Sequence, residues 1–219
     1  MMTKIISATQ LKGGTGKSTI TANLAGYLAM TGKTVLIIDA DGPTQYTAYS
    51  WTALFSQSGL KEADKVTAVK VLTTDELIAV LQENDGKFDF ILIDSPPRMA
   101  EIMRAIIFVS DLSLIPFNVT GPDIWALDDM IELLNEVKEA KPDTNLKLVI
   151  NGLKDKANAW QTRSLVLKTF DLPYIQTSLY EYDTYQAVIG KGLHAAGYRI
   201  HKPKEQFTQF AKEVLAAIN

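Results

Sequence analysis

The chain has 219 residues, 47% of them hydrophobic, no cysteine and a net charge of −3. That is ample for a buried core in one domain spanning 1–219, and it excludes disulfides, thiolate metal sites and cysteine-held iron–sulfur clusters. No apolar run approaches the roughly 18 residues of a membrane span and nothing at the start reads as a signal peptide, so a cytoplasmic protein is expected, and any binding to nucleic acid must come from a local basic patch.

Taken in order, Lys4-Ile5-Ile6-Ser7-Ala8 reads as a buried strand. It runs into Lys12-Gly13-Gly14-Thr15-Gly16-Lys17-Ser18-Thr19, and a helical pattern follows over 18–30. Strand, glycine-rich loop and helix N-terminus together make a phosphate cradle. Glycines let the backbone turn tightly and bring bare N–H groups against phosphate oxygens. Lys17 would reach the β- and γ-phosphates, and the Ser18 hydroxyl would ligate Mg²⁺. A second apolar strand over 34–38 follows Gly32, a helix C-cap in kind, and ends in Asp39-Ala40-Asp41. Pro43 is placed to start a helix.

A weaker strand is expected over 66–72, a capped amphipathic helix over 74–84, and a buried strand over 88–93 that ends in Asp94. A helix over 99–110 leads to a short strand over 112–115, with Asn118 and Thr120 beyond it. A helix over 122–140 and a strand over 146–150 ending at Asn151 come next, then helices over 157–170, 184–191 and 205–218. There is no repeat, low-complexity stretch or linker. Alternation of this kind predicts an α/β, doubly wound, mostly parallel sheet with helices on both faces. In such sheets ligands bind beyond the carboxyl ends of the strands, where the glycine loop, Asp39, Asp41, Asp94, Asn118 and Asn151 would all fall. Asp94, after an apolar run, is costly without a partner such as Mg²⁺.

The loop lacks glycine at Leu11 and opens with Lys12 instead. Lys-Gly-Gly-x-Gly-Lys-Ser/Thr is the deviant Walker A pattern, and on it the chain resembles the ParA/MinD superfamily, most of all the small ParF-like plasmid partition ATPases. The resemblance implies ATP and Mg²⁺ as cofactors, with Gly13, Gly14, Thr15, Gly16, Lys17, Ser18 and Thr19 on the phosphates. It implies a homodimer closed by ATP, in which Lys12 reaches the partner's phosphates much as an arginine finger does. Asp41 would position or activate the attacking water, Asp39 would support the Mg²⁺ shell, and Asp94 would be the Walker B carboxylate. Asn151 either contacts adenine, whose edge suits an amide, or forms a turn with Gly152. Asn118 and Thr120 either face the γ-phosphate or shape a loop.

The same resemblance implies non-specific DNA binding in a nucleoid-associated protein and a centromere-binding or adaptor partner that stimulates hydrolysis. Candidate contacts are Lys154, Lys156, Arg163 and Lys168, and the compact run with Arg199, Lys202 and Lys204, which read equally as solvated faces. His194 and His201 have no metal-like spacing. One departure stands out: Gly42-Pro43-Thr44-Gln45 replaces the family's Pro-Gln after the second Asp, and Trp51 falls late. Three alternatives use the same core. The switch could move a protein cargo such as a carboxysome, a chemotaxis cluster or a transfer complex. A MinD-like membrane cycle would need a terminal basic amphipathic helix, whereas Phe207, Phe210, Val214 and Ile218 read as a core stripe. A metabolic kinase or amide ligase would not need Lys12.

Overall fold

A computed structural model describes residues 2–42, 45–118, 121–154, 159–170 and 172–218. Six strands, β1 (Lys4–Ala8), β2 (Val35–Asp39), β3 (Val66–Lys70), β4 (Phe90–Asp94), β5 (Leu112–Asn118) and β6 (Leu146–Asn151), form one sheet in the order β3-β2-β4-β1-β5-β6. Every pairing is parallel, so the expected mostly parallel sheet is parallel throughout. Parallel strands need both faces covered, which is why β2 reads as an unbroken apolar run and is buried along its whole length.

The helices are α1 (Lys17–Met30), α2 (Thr47–Ser56), α3 (Thr74–Asn84), α4 (Ala100–Val109), α5 (Gly121–Ala140), α6 (Ala159–Phe170), α7 (Asp183–Ile189) and α8 (His201–Ala217). Alternate strand residues sort onto two faces. Val35, Ile37 and Leu92 pack with α1, α2, α7 and α8, while Leu36, Ile38, Ile91 and Ile93 pack with α3 and α4. α1 lies in the middle of the first face and is buried from Ile20 to Ala29. It ends where Gly32 takes a φ of 90°, a conformation that glycine adopts without strain. At the start of α3, Thr73 caps the helix by accepting from the Glu76 amide at 3.2 Å, and Glu76 reaches back to accept from the Leu72 amide, one residue before the cap, at 2.7 Å.

Two elements start elsewhere than expected. Pro43 lies outside the described residues, and the helix expected from it runs from Thr47. α8 begins at His201 rather than at 205, so Lys202 and Lys204 stand in its first turn. Pro203 belongs there without penalty, because a first-turn N–H has no intrahelical partner to lose.

Candidate functional site

The register of the sheet assembles the site. Ala8 of β1 stands beside Asp94 of β4, Asp94 beside Asp39 of β2, and Asp39 beside Lys70 of β3. In-register residues of parallel strands share a face, and this row lies on the α1 side, at the carboxyl edge of the sheet. Asp39 and Asp94 are fully buried neighbours, 55 positions apart in sequence and brought together by strand pairing.

Beyond β1 the chain turns through the glycine loop into α1. Gly16 precedes the helix at φ 97° and, as its N-cap, has no side chain to cap the helix end. A 14-residue helix with an open N-terminus offers its first N–H groups and its dipole to an anion. A Cβ on Gly16 would sit 2.1 Å from the Asn151 side-chain nitrogen, so any other residue here would displace that amide. Inside the loop, the Lys12 carbonyl accepts from Thr15 Oγ1 and from Lys17 Nζ, each at 3.4 Å. The Lys12 amide donates to Gln10 Oε1 at 3.4 Å.

Lys17 is 5% exposed. Burial pulls its pKa below the ordinary lysine range, and the nearby Asp94 and Asp41 carboxylates oppose that by favouring its charged form. Burial raises Asp94 well above the usual carboxylate range, and the Asp39 charge adds to the effect; Ser18 and Lys17 counter it. Neither Asp94 oxygen meets hydrogen-bond geometry with any described residue. A buried acid left in that state is costly and asks for a cation. Among the described residues no group of three or more acidic or imidazole side chains could hold a metal by itself. One carboxylate, one hydroxyl and an open anion cradle instead fit a hard cation that brings phosphate oxygens with it, as Mg²⁺ does.

Asp39 has a structural task as well. Its Oδ1 accepts from the Asp41 amide at 3.0 Å and its Oδ2 from the Tyr49 amide at 2.9 Å, so it caps α2. Burial raises its pKa, which these amides partly offset. Asp41 is half-buried at the rim; burial raises its pKa and Lys17 lowers it.

A cavity of about 350 Å³ opens beside the loop, lined by Gly14, Gly16 and Thr19, by Asn118, Asn151 and Gly152 at the ends of β5 and β6, by Leu179 to Asp183, and by residues of α7 and α8. That is the volume of a small-molecule site. The Asn151 side-chain nitrogen donates to the Thr15 carbonyl at 2.8 Å, which makes Asn151 a brace of the loop as well as a wall of the cavity. Sequence reasoning missed the opposite wall, where the Tyr180 and Tyr182 rings lie 6.1 Å apart. The run Leu-Tyr-Glu-Tyr-Asp was its only signal. Thr120 and Lys156 lie outside the described residues.

Of the basic candidates, Lys154 pairs with Glu181 at 3.4 Å. Arg163 lies over the Trp160 and Tyr174 rings and donates to Ser178 Oγ and the Gln176 carbonyl. Arg199, Lys202 and Lys204 are exposed around the start of α8. Phe207, Phe210, Val214 and Ile218 are core residues, and among the described residues no helix is long and apolar enough to cross a membrane.

Residues 6–189 match the family model for the CobQ/CobB/MinD/ParA nucleotide binding domain. A curated relative, the maintenance of carboxysome distribution protein A of Halothiobacillus neapolitanus, is 24% identical over 213 residues, covering 96% of this chain and 95% of that protein. The solved structure of apo McdA from Cyanothece superposes with a TM-score of 0.78 at 18% identity, covering 97% of this chain and 99% of that one. The septum site-determining protein MinD of Pyrococcus horikoshii, complexed with Mg-ADP, superposes with a TM-score of 0.72 at 21% identity, covering 98% of each chain.

Proposed function

The chain belongs to the CobQ/CobB/MinD/ParA nucleotide-binding family, and from that premise we propose that it is an ATP-driven dimerising switch that rides on DNA and positions a cargo. One observation carries the reading: the glycine loop and the open start of α1 stand beside the paired buried acids Asp39 and Asp94, and both Asp94 oxygens lack a hydrogen-bond partner among the described residues, with Lys17 the cation nearby.

Gly13, Gly14, Thr15, Gly16 and Thr19 line the cradle, with backbone N–H groups as donors to phosphate oxygens. Lys17 supplies positive charge to the β- and γ-phosphates. Ser18 and Asp94 hold Mg²⁺, which when bound neutralises charge on the departing phosphate. Asp39 keeps α2 and Asp41 in place, and Asp41 orients the attacking water and takes its proton; its raised pKa suits a base. The wall of Asn151, Tyr180 and Tyr182 takes the base. Lys12 serves the partner's nucleotide in a homodimer. Lys12→Ala is expected to bind ATP within about threefold of the parent, since Lys17 and the loop amides remain, but to stay monomeric. An unchanged ATP-dependent dimer in light scattering would remove the role across the interface.

DNA is read through phosphate charge by Arg199, Lys202 and Lys204, exposed at a helix start and doubled in a dimer. Reversing all three to Glu is expected to weaken DNA binding by at least about tenfold at low salt and to flatten its salt dependence. Unstimulated ATP hydrolysis should stay unchanged. A biosensor titration of the ATP-loaded dimer measures it, and unaltered affinity would move the DNA surface elsewhere. A centromere-binding or adaptor protein would accelerate hydrolysis. The first cargo reading is a plasmid or chromosome. The second is a protein assembly, which the near-full-length match to a carboxysome distribution protein favours. The buried stripe of α8 speaks against a membrane cycle.

A further inference from the structure

We infer that Lys70 is a positioning residue for Asp41: its ammonium, held between the rings of Tyr46 and Tyr49, fixes the turn that carries the carboxylate. The inference rests on the role proposed for Asp41 and adds the part of the fold that aims it.

Lys70 ends β3, in register with Asp39. Its Nζ lies 4.3 Å from the Tyr46 ring centroid and 4.4 Å from that of Tyr49, well inside the range in which an ammonium is attracted by an aromatic face. Both tyrosines are tied to the turn after β2. A Cβ on Gly42 would stand 2.4 Å from the Tyr46 hydroxyl oxygen and 2.8 Å from Leu72 Cδ2. The Tyr46 phenol therefore rests directly on the backbone that follows Asp41. The Tyr49 amide donates to Asp39 Oδ2 at 2.9 Å, and the Asp41 amide to Asp39 Oδ1 at 3.0 Å. Asp39 thus holds the Asp41 and Tyr49 amides, and Lys70 draws the Tyr46 ring, which rests on Gly42, towards the ring of Tyr49. No other cation is found over either ring among the described residues. An exposed lysine at a strand end would otherwise read as a solubilising charge.

Lys70→Met keeps the length of the side chain and removes the charge; Lys70→Arg keeps a cation that stacks on aromatic rings. Two experiments are compared with the parent and with Asp41→Ala. In steady-state hydrolysis, Lys70→Met is expected to lower kcat about five- to tenfold, the population shift that two exposed contacts of this kind support, with KM within about twofold; Lys70→Arg should stay near the parent. In nucleotide-free protein, Lys70→Met should speed hydrogen exchange at the Asp41 and Tyr49 amides severalfold while central β2 amides keep their protection. Unchanged kcat and exchange in Lys70→Met, or a rise in KM matching the fall in kcat, would overturn the inference. If Asp41→Ala is inactive while Lys70→Met matches the parent, this inference alone fails. Normal turnover by Asp41→Ala would remove the parent reading and this inference with it.

Discussion

Asp41→Ala is expected to cut ATP turnover by at least about 100-fold, the lower range of what a positioned acid–base group contributes, and to leave ATP affinity within a fewfold. The two neighbouring acids differ in what they hold. Asp39 is fully buried and spends one oxygen on the Asp41 amide in the turn after β2 and the other on the Tyr49 amide in the first turn of α2, so its removal would loosen the frame. The Asp41 carboxylate is half-buried and accepts no hydrogen bond from a described residue. Its surroundings are burial, which raises its pKa, and Lys17, which lowers it. A carboxylate with no structural task, aimed into a site with a lysine, can be deleted without disturbing the fold. Phosphate release and a nucleotide titration separate the two quantities. Turnover within threefold of the parent would sink the assignment.

Gly16→Ala has the largest expected effect on nucleotide binding. The φ of 97° is strained for any residue with a Cβ, and that carbon would stand 2.1 Å from the Asn151 nitrogen that braces Thr15. Either the loop opens or Asn151 leaves; both spoil the cradle. The expected cost is about 1–3 kcal/mol of stability, typical of an overpacked site, with a fall in ATP affinity of at least about tenfold. Adding Asn151→Ala should recover part of the stability, because it relieves the clash but not the backbone strain, and a double-mutant cycle isolates the shared part. Gly16→Ala with the parent's ATP affinity would show that the cradle does not hold phosphate in this conformation.

How much of this could be read from the residues follows from the range of each interaction. The glycine loop is local: one strand, seven residues and one helix start contain its chemistry, so the pattern announces it. The strand ends were legible for a similar reason, since an acid closing an apolar run marks the edge of a sheet. The pairing of Asp39 with Asp94 was not legible, because it depends on β4 slotting between β1 and β2. Lys70 joins the row through the same register. The double task of Asn151 needs the loop packed against the end of β6. The Tyr180–Tyr182 wall comes from a connection without regular periodicity, and the early start of α8 was hidden by a proline that a first turn tolerates.

In the proposed switch, ATP held by this loop joins two copies of the chain. Light scattering on Asp41→Ala with Mg²⁺ tests it most directly, because the variant should hold ATP without consuming it. A species of twice the 24.2 kDa chain mass is expected with ATP and the single-chain mass with ADP. The added Lys12→Ala change should return the ATP sample to the single-chain mass. A protein that binds ATP tightly, as judged by titration in the same buffer, yet keeps the 24.2 kDa mass at every concentration would contradict it.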